Sequence, residues 1–320
     1  MDQNPEDSLG IRLEIPNPSR DALEDALARG PGQGGGQRHG SDGASAREGE
    51  RRHHRHHRGE GERSPSDAPE ARPGERPKPD ILVLRPHSGI SGDIMVAGLA
   101  ALLKLTDADF DEALRDLGLP ELRGKVRLEP RSVAGVGGHG LFMELPEEKE
   151  SRDLADVSFF LEKAAIPLKA KELALTAFEI LAEAEGQVHG LPPRDVHFHE
   201  VGALDSLLDA GLAALFFERL SPRLFVSGPL PLCDGVISCA HGLLPSPAPA
   251  VAKLLRGVKV RGLRSSGETV TPTGIALLKA FGARFGDWPE MTVRDEALVY
   301  GGRLLPGVPN GALFAWGGLI

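Results

Sequence analysis

The sequence lacks the features of a secreted or membrane-spanning protein. Only two of its 320 residues are cysteine, Cys233 and Cys239, too few for a disulfide framework, which favours a reducing compartment. The longest apolar run, residues 94–103, is much shorter than the roughly 20 residues that a membrane helix needs. The N-terminus has no basic stretch followed by an apolar one. We therefore expect a soluble cytoplasmic protein.

Aromatic residues are scarce, and the first 79 residues contain none. This segment has 12 glycines and 9 prolines, a composition that cannot bury enough apolar surface to offset chain entropy. The sequence predicts a disordered Gly/Pro/Arg-rich arm over residues 1–79 and a folded domain over residues 80–320. The formal net charge of −9 argues against nucleic acid as a partner.

The arm carries a cluster of histidines between arginines. Five of the eleven histidines of the chain lie here, namely His39, His53, His54, His56 and His57. Short His-rich tracts bind metals loosely, whereas the four arginines of residues 51–58 would oppose a divalent cation. Two interpretations stay open: metal capture or storage, and a solvated basic patch without a fixed role.

The folded part begins with a strand, a glycine-rich loop and a helix. Residues 81–84 are aliphatic and predict a strand, and residues 94–103 have a helical pattern after the loop. Backbone amides of such a loop, together with the helix N-terminus, can bind a phosphate. The alternative is a simple turn in which Ser91 or Asp93 caps the helix.

Two imidazoles and two carboxylates lie within the ten residues Val196-His197-Phe198-His199-Glu200-Val201-Gly202-Ala203-Leu204-Asp205. If residues 196–201 are extended, His197 and His199 share one face, and imidazole suits nickel, zinc and copper. Residues 204–220 have helical spacing, so Asp205 and Asp209 lie one turn apart nearby. The pattern predicts a metal site, and the alternative is a pair of hydrogen-bonded histidines without a metal.

A second loop and helix start lies further along the chain. Thr271 is placed to cap a helix over residues 275–285, with Pro272 at its first position. Glu268 is the nearest carboxylate. Before this unit, Cys239 and His241 could be soft and borderline metal ligands, or a buried thiol and a turn histidine.

Strands alternate with helices along residues 80–320. Residues 169–187 predict a long helix, residues 228–235 a loop and residues 250–255 a short helix after a proline-rich stretch. The predicted fold class is α/β or α+β, a mixed sheet with flanking helices. Ligands commonly bind at the carboxyl ends of the strands of such sheets.

Four motifs, in this order, resemble those of the LarC-type nickel insertion proteins. They are Ser88-Gly89-Ile90-Ser91-Gly92-Asp93, Val196-His197-Phe198-His199-Glu200-Val201-Gly202-Ala203 with Asp205 and Asp209, Ala240-His241-Gly242-Leu243-Leu244-Pro245, and Val270-Thr271-Pro272-Thr273-Gly274. The likeness runs from residue 81 to the C-terminus and covers the first half of the family pattern.

The resemblance implies a cyclometallation, a lyase-class reaction. Nickel is placed between the two thiocarboxylate sulfurs of a pyridinium-3,5-bisthiocarboxylate mononucleotide and bonded to the ring carbon between them, and a proton leaves that carbon. The product is the nickel-pincer cofactor of lactate racemase. The implied partners are the mononucleotide, a lactate-racemase-like apoenzyme and a C-terminal-half nickel insertion protein, which would bind a nucleotide with Mg or Mn.

For this reaction, the residue patterns described above supply candidate site residues. The expected catalytic residues are His197, His199, Glu200 and Asp205. The expected nickel ligands are these four with His241 and His87. The residues expected to bind the cofactor precursor are Ser88, Gly89, Ser91, Gly92, Asp93, Thr271, Thr273 and Gly274.

Two departures from the family pattern bear on activity. Where the family has an Asp before Ser-Gly-Ile-Ser-Gly-Asp, this chain has Arg85-Pro86-His87, so a carboxylate is missing and His87 is the candidate substitute. The His-rich insert of the family, expected near residues 146–150, is found instead in the N-terminal arm.

Besides nickel insertion, two other functions stay open: a non-catalytic nickel carrier or store, and a metal-dependent phosphohydrolase.

Overall fold

A computed structural model describes residues 79–146, 152–198, 204–239 and 242–320. The predicted arm over residues 1–79 lies outside the described residues, apart from its last position. The descriptions below concern the described ranges alone.

The elements follow one another as the alternating pattern predicts. The strands are β1 (Ile81–Pro86), β2 (Val126–Val133), β3 (Val136–Met143), β4 (Arg152–Asp153), β5 (His197–Phe198), β6 (Leu224–Ser227), β7 (Leu230–Leu232), β8 (Gly235–Cys239), β9 (Gly242–Ser246), β10 (Val260–Gly262), β11 (Arg284–Phe285), β12 (Met291–Val299) and β13 (Ala312–Leu319). The helices are α1 (Gly92–Leu103), α2 (Asp107–Asp116), α3 (Leu154–Lys163), α4 (Leu168–His189), α5 (Leu204–Leu220), α6 (Pro249–Leu254) and α7 (Pro272–Ala280).

Seven strands form one mixed sheet in the order β11-β6-β1-β13-β12-β3-β2. Strand β1 runs parallel to β6 and antiparallel to β13, which in turn pairs antiparallel with β12. The prediction of a mixed sheet with flanking helices is therefore confirmed.

The helices cover one face of this sheet. Leu82 and Leu84 of β1 belong to the main core with residues of all seven helices, whereas Ile81 and Val83 lie in a smaller cluster on the other face, as the alternation of side chains along a strand requires. Helix α1 contacts β3, β12 and β13, and α4 contacts α5 and α7. Helix α1 therefore lies between the sheet and the outer helices, with its N-terminus at the carboxyl end of β1.

Two sequence predictions of secondary structure are wrong in part. Residues 228–235 are not a continuous loop, because β7 lies within them and pairs in parallel with β10, about thirty residues later. The helix predicted over residues 275–285 ends at Ala280. Gly282 has φ +69°, and the Ala283 amide bonds the carbonyl of Leu278, a Schellman arrangement that terminates the helix.

The predicted extended run over residues 196–201 is described only in part. His197 and Phe198 form β5, which pairs with β4. Phe198 is buried and His197 is exposed, as the alternation predicts, and residues 199–203 lie outside the described ranges.

Candidate functional site at two helix N-termini

The loops that precede α1 and α7 lie side by side. Ile90 and Val270 form an isolated parallel bridge, in which the Ile90 amide donates to the carbonyl of Thr269 (2.9 Å) and the Thr271 amide to that of Ile90 (3.0 Å). A Cβ atom at Gly89, which has φ +151°, would overlap the carbonyl of Thr269. The two helices therefore begin next to each other, and glycine at position 89 permits this close approach.

The two helix starts are capped differently. The hydroxyl of Thr271 accepts the amide of Gly274 (3.1 Å), so the predicted cap of α7 is confirmed. Ser91 occupies the same position before α1, but its side chain makes no capping bond. Its hydroxyl instead donates to a carboxylate oxygen of Asp93, and the other oxygen of Asp93 accepts the amide of Gly302 (3.1 Å).

A cleft opens in front of the two helix starts. It consists of two adjoining hollows that share Ser91, Asp93, Glu268, Thr271 and Gly302. The hollow that we call the arginine end is further lined by Ser88, Gly89, Ile94, Thr269, Gly301, Arg303, Leu304, Leu305 and Gly311. The hollow that we call the aspartate end is further lined by Gly92, Leu141, Met143, Asp205, Ser206, Asp209, Pro272 and Thr273.

Asp209 is the most unusual side chain of the cleft. It is 9% exposed, and its Oδ1 atom has no hydrogen-bond partner among the described residues. Its carboxyl group lies directly against Gly92, where a Cβ atom would overlap it. Burial, and secondarily the charges of Asp93 and Asp205, raise the pKa of Asp209 well above its ordinary value.

Asp205 lies one helical turn before Asp209 on α5, and both line the aspartate end, which confirms the predicted spacing. Asp205 is exposed, and its Oδ1 accepts the amide of Ser206 (2.7 Å). Asp205 is therefore accessible to a ligand, whereas Asp209 forms the floor of the same hollow.

Arg303 and Glu268 face each other at the arginine end. Arg303 Nη1 is 3.4 Å from Glu268 Oε2, and the arginine side chain is 62% exposed. Sequence reasoning singled out Glu268 only as the carboxylate nearest the second loop, and it missed Arg303. No local pattern connects Arg303 to the site, because the residue follows a glycine pair in a loop that only the folded chain brings to α1.

The residues predicted to bind the cofactor precursor come together here. Ser88, Gly89, Ser91, Gly92, Asp93, Thr271 and Thr273 all line the cleft. Gly274 lies in the first turn of α7, where a Cβ atom would be 2.6 Å from the carbonyl oxygen of Ile90. Two loops 180 residues apart in sequence thus form one surface.

The residues predicted to bind nickel are less well assembled. Glu200, His199 and His241 lie outside the described residues, and among the described ones only Asp205 lines the cleft. His197 and His87 do not line it. Within the described ranges, no group of three or more His, Cys, Asp or Glu side chains is arranged to hold a metal ion.

Arg85 and His87, which stand where the resemblance leads us to expect a carboxylate, are not among the residues that line the cleft. Arg85 Nη1 donates to the carbonyl of Gly286 (2.7 Å), and its guanidinium lies 4.8 Å from the ring centre of Trp288. The carbonyl of His87 accepts Arg261 Nη2 (2.6 Å). Partial burial, and then the charge of Arg261, lower the pKa of His87, which favours the neutral imidazole that a metal requires.

Comparison with known proteins gives the family. A model described as nickel insertion protein matches residues 82–315. The chain belongs to the nickel insertion protein family. The match contains both loops of the cleft and helix α5 with its two aspartates.

Individual relatives agree with the family model. A Geotalea daltonii protein, provisionally named a nickel insertion protein, is 38% identical over 230 residues, which are 72% of this chain and 59% of the relative. A Staphylococcus saprophyticus protein is named pyridinium-3,5-bisthiocarboxylic acid mononucleotide nickel insertion protein and is 34% identical over 221 residues, 69% of this chain and 55% of the relative. The chain thus spans somewhat under three fifths of the length of these relatives.

No solved structure matches the chain. No helix of the described residues is both long and apolar enough to span a bilayer.

Proposed function

We propose that this nickel insertion protein places nickel into a pyridinium-3,5-bisthiocarboxylate mononucleotide, forming the nickel-pincer cofactor of lactate racemase. The Staphylococcus relatives, whose names specify this mononucleotide, support the substrate. The observation that carries the proposal is the cleft, which is lined by two helix N-termini and four carboxylates.

The cleft offers groups for both parts of the substrates. The helix N-termini present amides that favour a phosphate, and the carboxylates favour a divalent cation and can accept a proton. Forming the carbon–nickel bond releases one proton from the ring carbon. Asp205, which is accessible, is our candidate to accept it.

We further propose that His197, His199 and Glu200 bind the incoming nickel, with His241 and His87 as additional ligands. His197 and Asp205 flank the segment that contains His199 and Glu200. Of these residues, Asp205 lines the aspartate end, and it follows the His-Phe-His-Glu run closely in sequence.

The nickel ligands can be tested by substitution. We expect replacement of both His197 and His199 with alanine to abolish stoichiometric nickel binding in equilibrium dialysis. Replacement of His189, a helix histidine that does not line the cleft, is the matched control. Undiminished binding by the double variant would exclude the two histidines as ligands.

The reaction itself is tested with a mononucleotide that carries deuterium on the ring carbon between the two thiocarboxylates. Insertion predicts that each nickel incorporated releases one deuterium, read by mass spectrometry against a sample without nickel. We propose that a partner protein supplies the part of the family pattern that this match leaves out. The assay is therefore run with and without the corresponding part of the Geotalea daltonii relative. Nickel bound with all deuterium retained would contradict insertion.

A second function, a nickel carrier or store, is favoured by one observation. Five of the eleven histidines lie at residues 39–57, and such tracts bind metal loosely. Under this alternative, the arm and the pair His197 and His199 bind nickel, but no cofactor is made.

A further inference from the structure

The cleft is electrically asymmetric along its length. Among the described residues that line it, Arg303 is the only cation, and it lines the arginine end alone. Asp205 and Asp209 line the aspartate end alone, while Asp93 and Glu268 border both. A ligand with an anionic group at one end and a metal ion at the other therefore has one favourable direction.

Arg303 is available to such a ligand. Its side chain is 62% exposed, and its Nη1 lies 3.4 Å from Oε2 of Glu268, whose side chain is 25% exposed. An ion pair this long and partly exposed holds the guanidinium only weakly. A phosphate dianion offers a guanidinium two parallel charge-assisted hydrogen bonds, which a single carboxylate oxygen at this distance does not. A phosphate can therefore compete with Glu268 for the guanidinium of Arg303.

The aspartate end favours a different part of the ligand. Asp209 Oδ1 is buried and has no partner among the described residues, and a buried polar atom without a partner is uncommon in a native structure. A phosphate dianion at this end would be repelled by the charge of Asp205, and it has no proton to donate to Oδ1 of Asp209. Nickel, and the ring that receives it, would instead compensate these carboxylates.

We infer that Arg303 binds the phosphate of the mononucleotide, which directs the phosphate to the arginine end and the pyridinium ring to the aspartate end. This inference rests on the proposed function. Under it, Arg303 determines how the substrate is oriented, and the ring carbon that loses its proton faces Asp205 and the floor formed by Asp209.

The test is calorimetric titration of the full chain, without nickel, with two compounds: the mononucleotide and the same riboside without its phosphate. We expect the wild type to prefer the mononucleotide. Arg303→Met should weaken mononucleotide binding about tenfold or more and leave riboside binding unchanged, so that the preference disappears. Arg303→Lys should keep part of the preference, since it retains the charge but loses the planar fork.

Arg294→Met is the matched control. Arg294 is an exposed arginine of β12, and its side chain lies near Gly318, at the end of the strand away from Gly301. Its variant should bind both compounds as the wild type does, and thermal melts should show that all variants are folded.

Two results would overturn the inference in distinguishable ways. If Arg303→Met keeps the full preference for the phosphorylated compound, the proposed function stands and the assigned direction is wrong. If the wild type binds neither compound, the proposed function is wrong, and the inference that rests on it is wrong as well.

Discussion

The two loops before α1 and α7 are built from the same kinds of residues, but they cap their helices differently. Each has a hydroxyl residue at the N-cap position, Ser91 or Thr271, and the loops are joined by one parallel bridge. Thr271 caps its own helix, whereas the hydroxyl of Ser91 bonds Asp93 and leaves the first turn of α1 without a side-chain cap.

From this difference we predict that α1, more than α7, offers its first-turn amides to a ligand. An uncapped first turn retains amides that can bind an anionic ligand. The first turn of α1 also lies against Asp209 of α5, whose Oδ1 has no hydrogen-bond partner among the described residues. The loop before α7 holds the loop before α1 through the bridge between Ile90 and Val270.

The largest expected effect comes from forcing the two loops apart. Gly89→Ala adds a Cβ atom that would overlap the carbonyl of Thr269 at a backbone φ of +151°. We expect the free energy of unfolding to fall by about 3 kcal/mol, as measured by urea denaturation. Gly262→Ala, at a site with open space around it, is the control, and equal behaviour of the two variants would mean that the loops do not approach closely.

The two caps can be compared directly. Thr271→Ala should lower the free energy of unfolding by about 1 kcal/mol, because the amide of Gly274 loses its acceptor. Ser91→Ala should lower it by about 0.5 kcal/mol or less, as for a substitution that removes no cap. Equal losses in ligand-free protein would remove the distinction between the two helix starts.

The smallest expected effect is a pH dependence caused by Asp209, which lies on α5 against the first turn of α1. The pKa of Asp209 is raised in the folded state, mainly by burial, so above a pH of about 4 the unfolded chain releases this proton before the folded one. Wild-type stability should therefore fall, relative to Asp209→Asn, as the pH rises from about 4 toward neutrality. Parallel stability curves for the two proteins would contradict a raised pKa.

Local patterns predicted much of the fold around the cleft. The aliphatic strand, glycine-rich loop and helix that make up β1 and α1 lie within 25 residues, and Thr271 with Pro272 marked the start of α7. The turn of helix that joins Asp205 to Asp209 followed from spacing alone. These features depend on neighbours in sequence, which periodicity and capping preferences describe.

What the sequence did not predict depends on distant contacts. The burial of Asp209 follows from its position against Gly92, more than a hundred residues earlier, and Arg303 reaches the cleft only because β12 and β13 place their connection beside α1. The pairing of β7 with β10 converted an expected loop into a strand. No local propensity encodes any of these contacts.

We propose that nickel and the mononucleotide bind together in the cleft before α1 and α7. Calorimetric titration of nickel into the full chain tests this, once the arm can no longer bind nickel through its imidazoles. For this, five histidines of the arm are replaced by asparagine: His39, His53, His54, His56 and His57. We predict one equivalent of nickel, bound more tightly when the mononucleotide is present. Loss of nickel binding when the arm histidines are replaced, or a nickel affinity that the mononucleotide does not change, would contradict joint binding in the cleft.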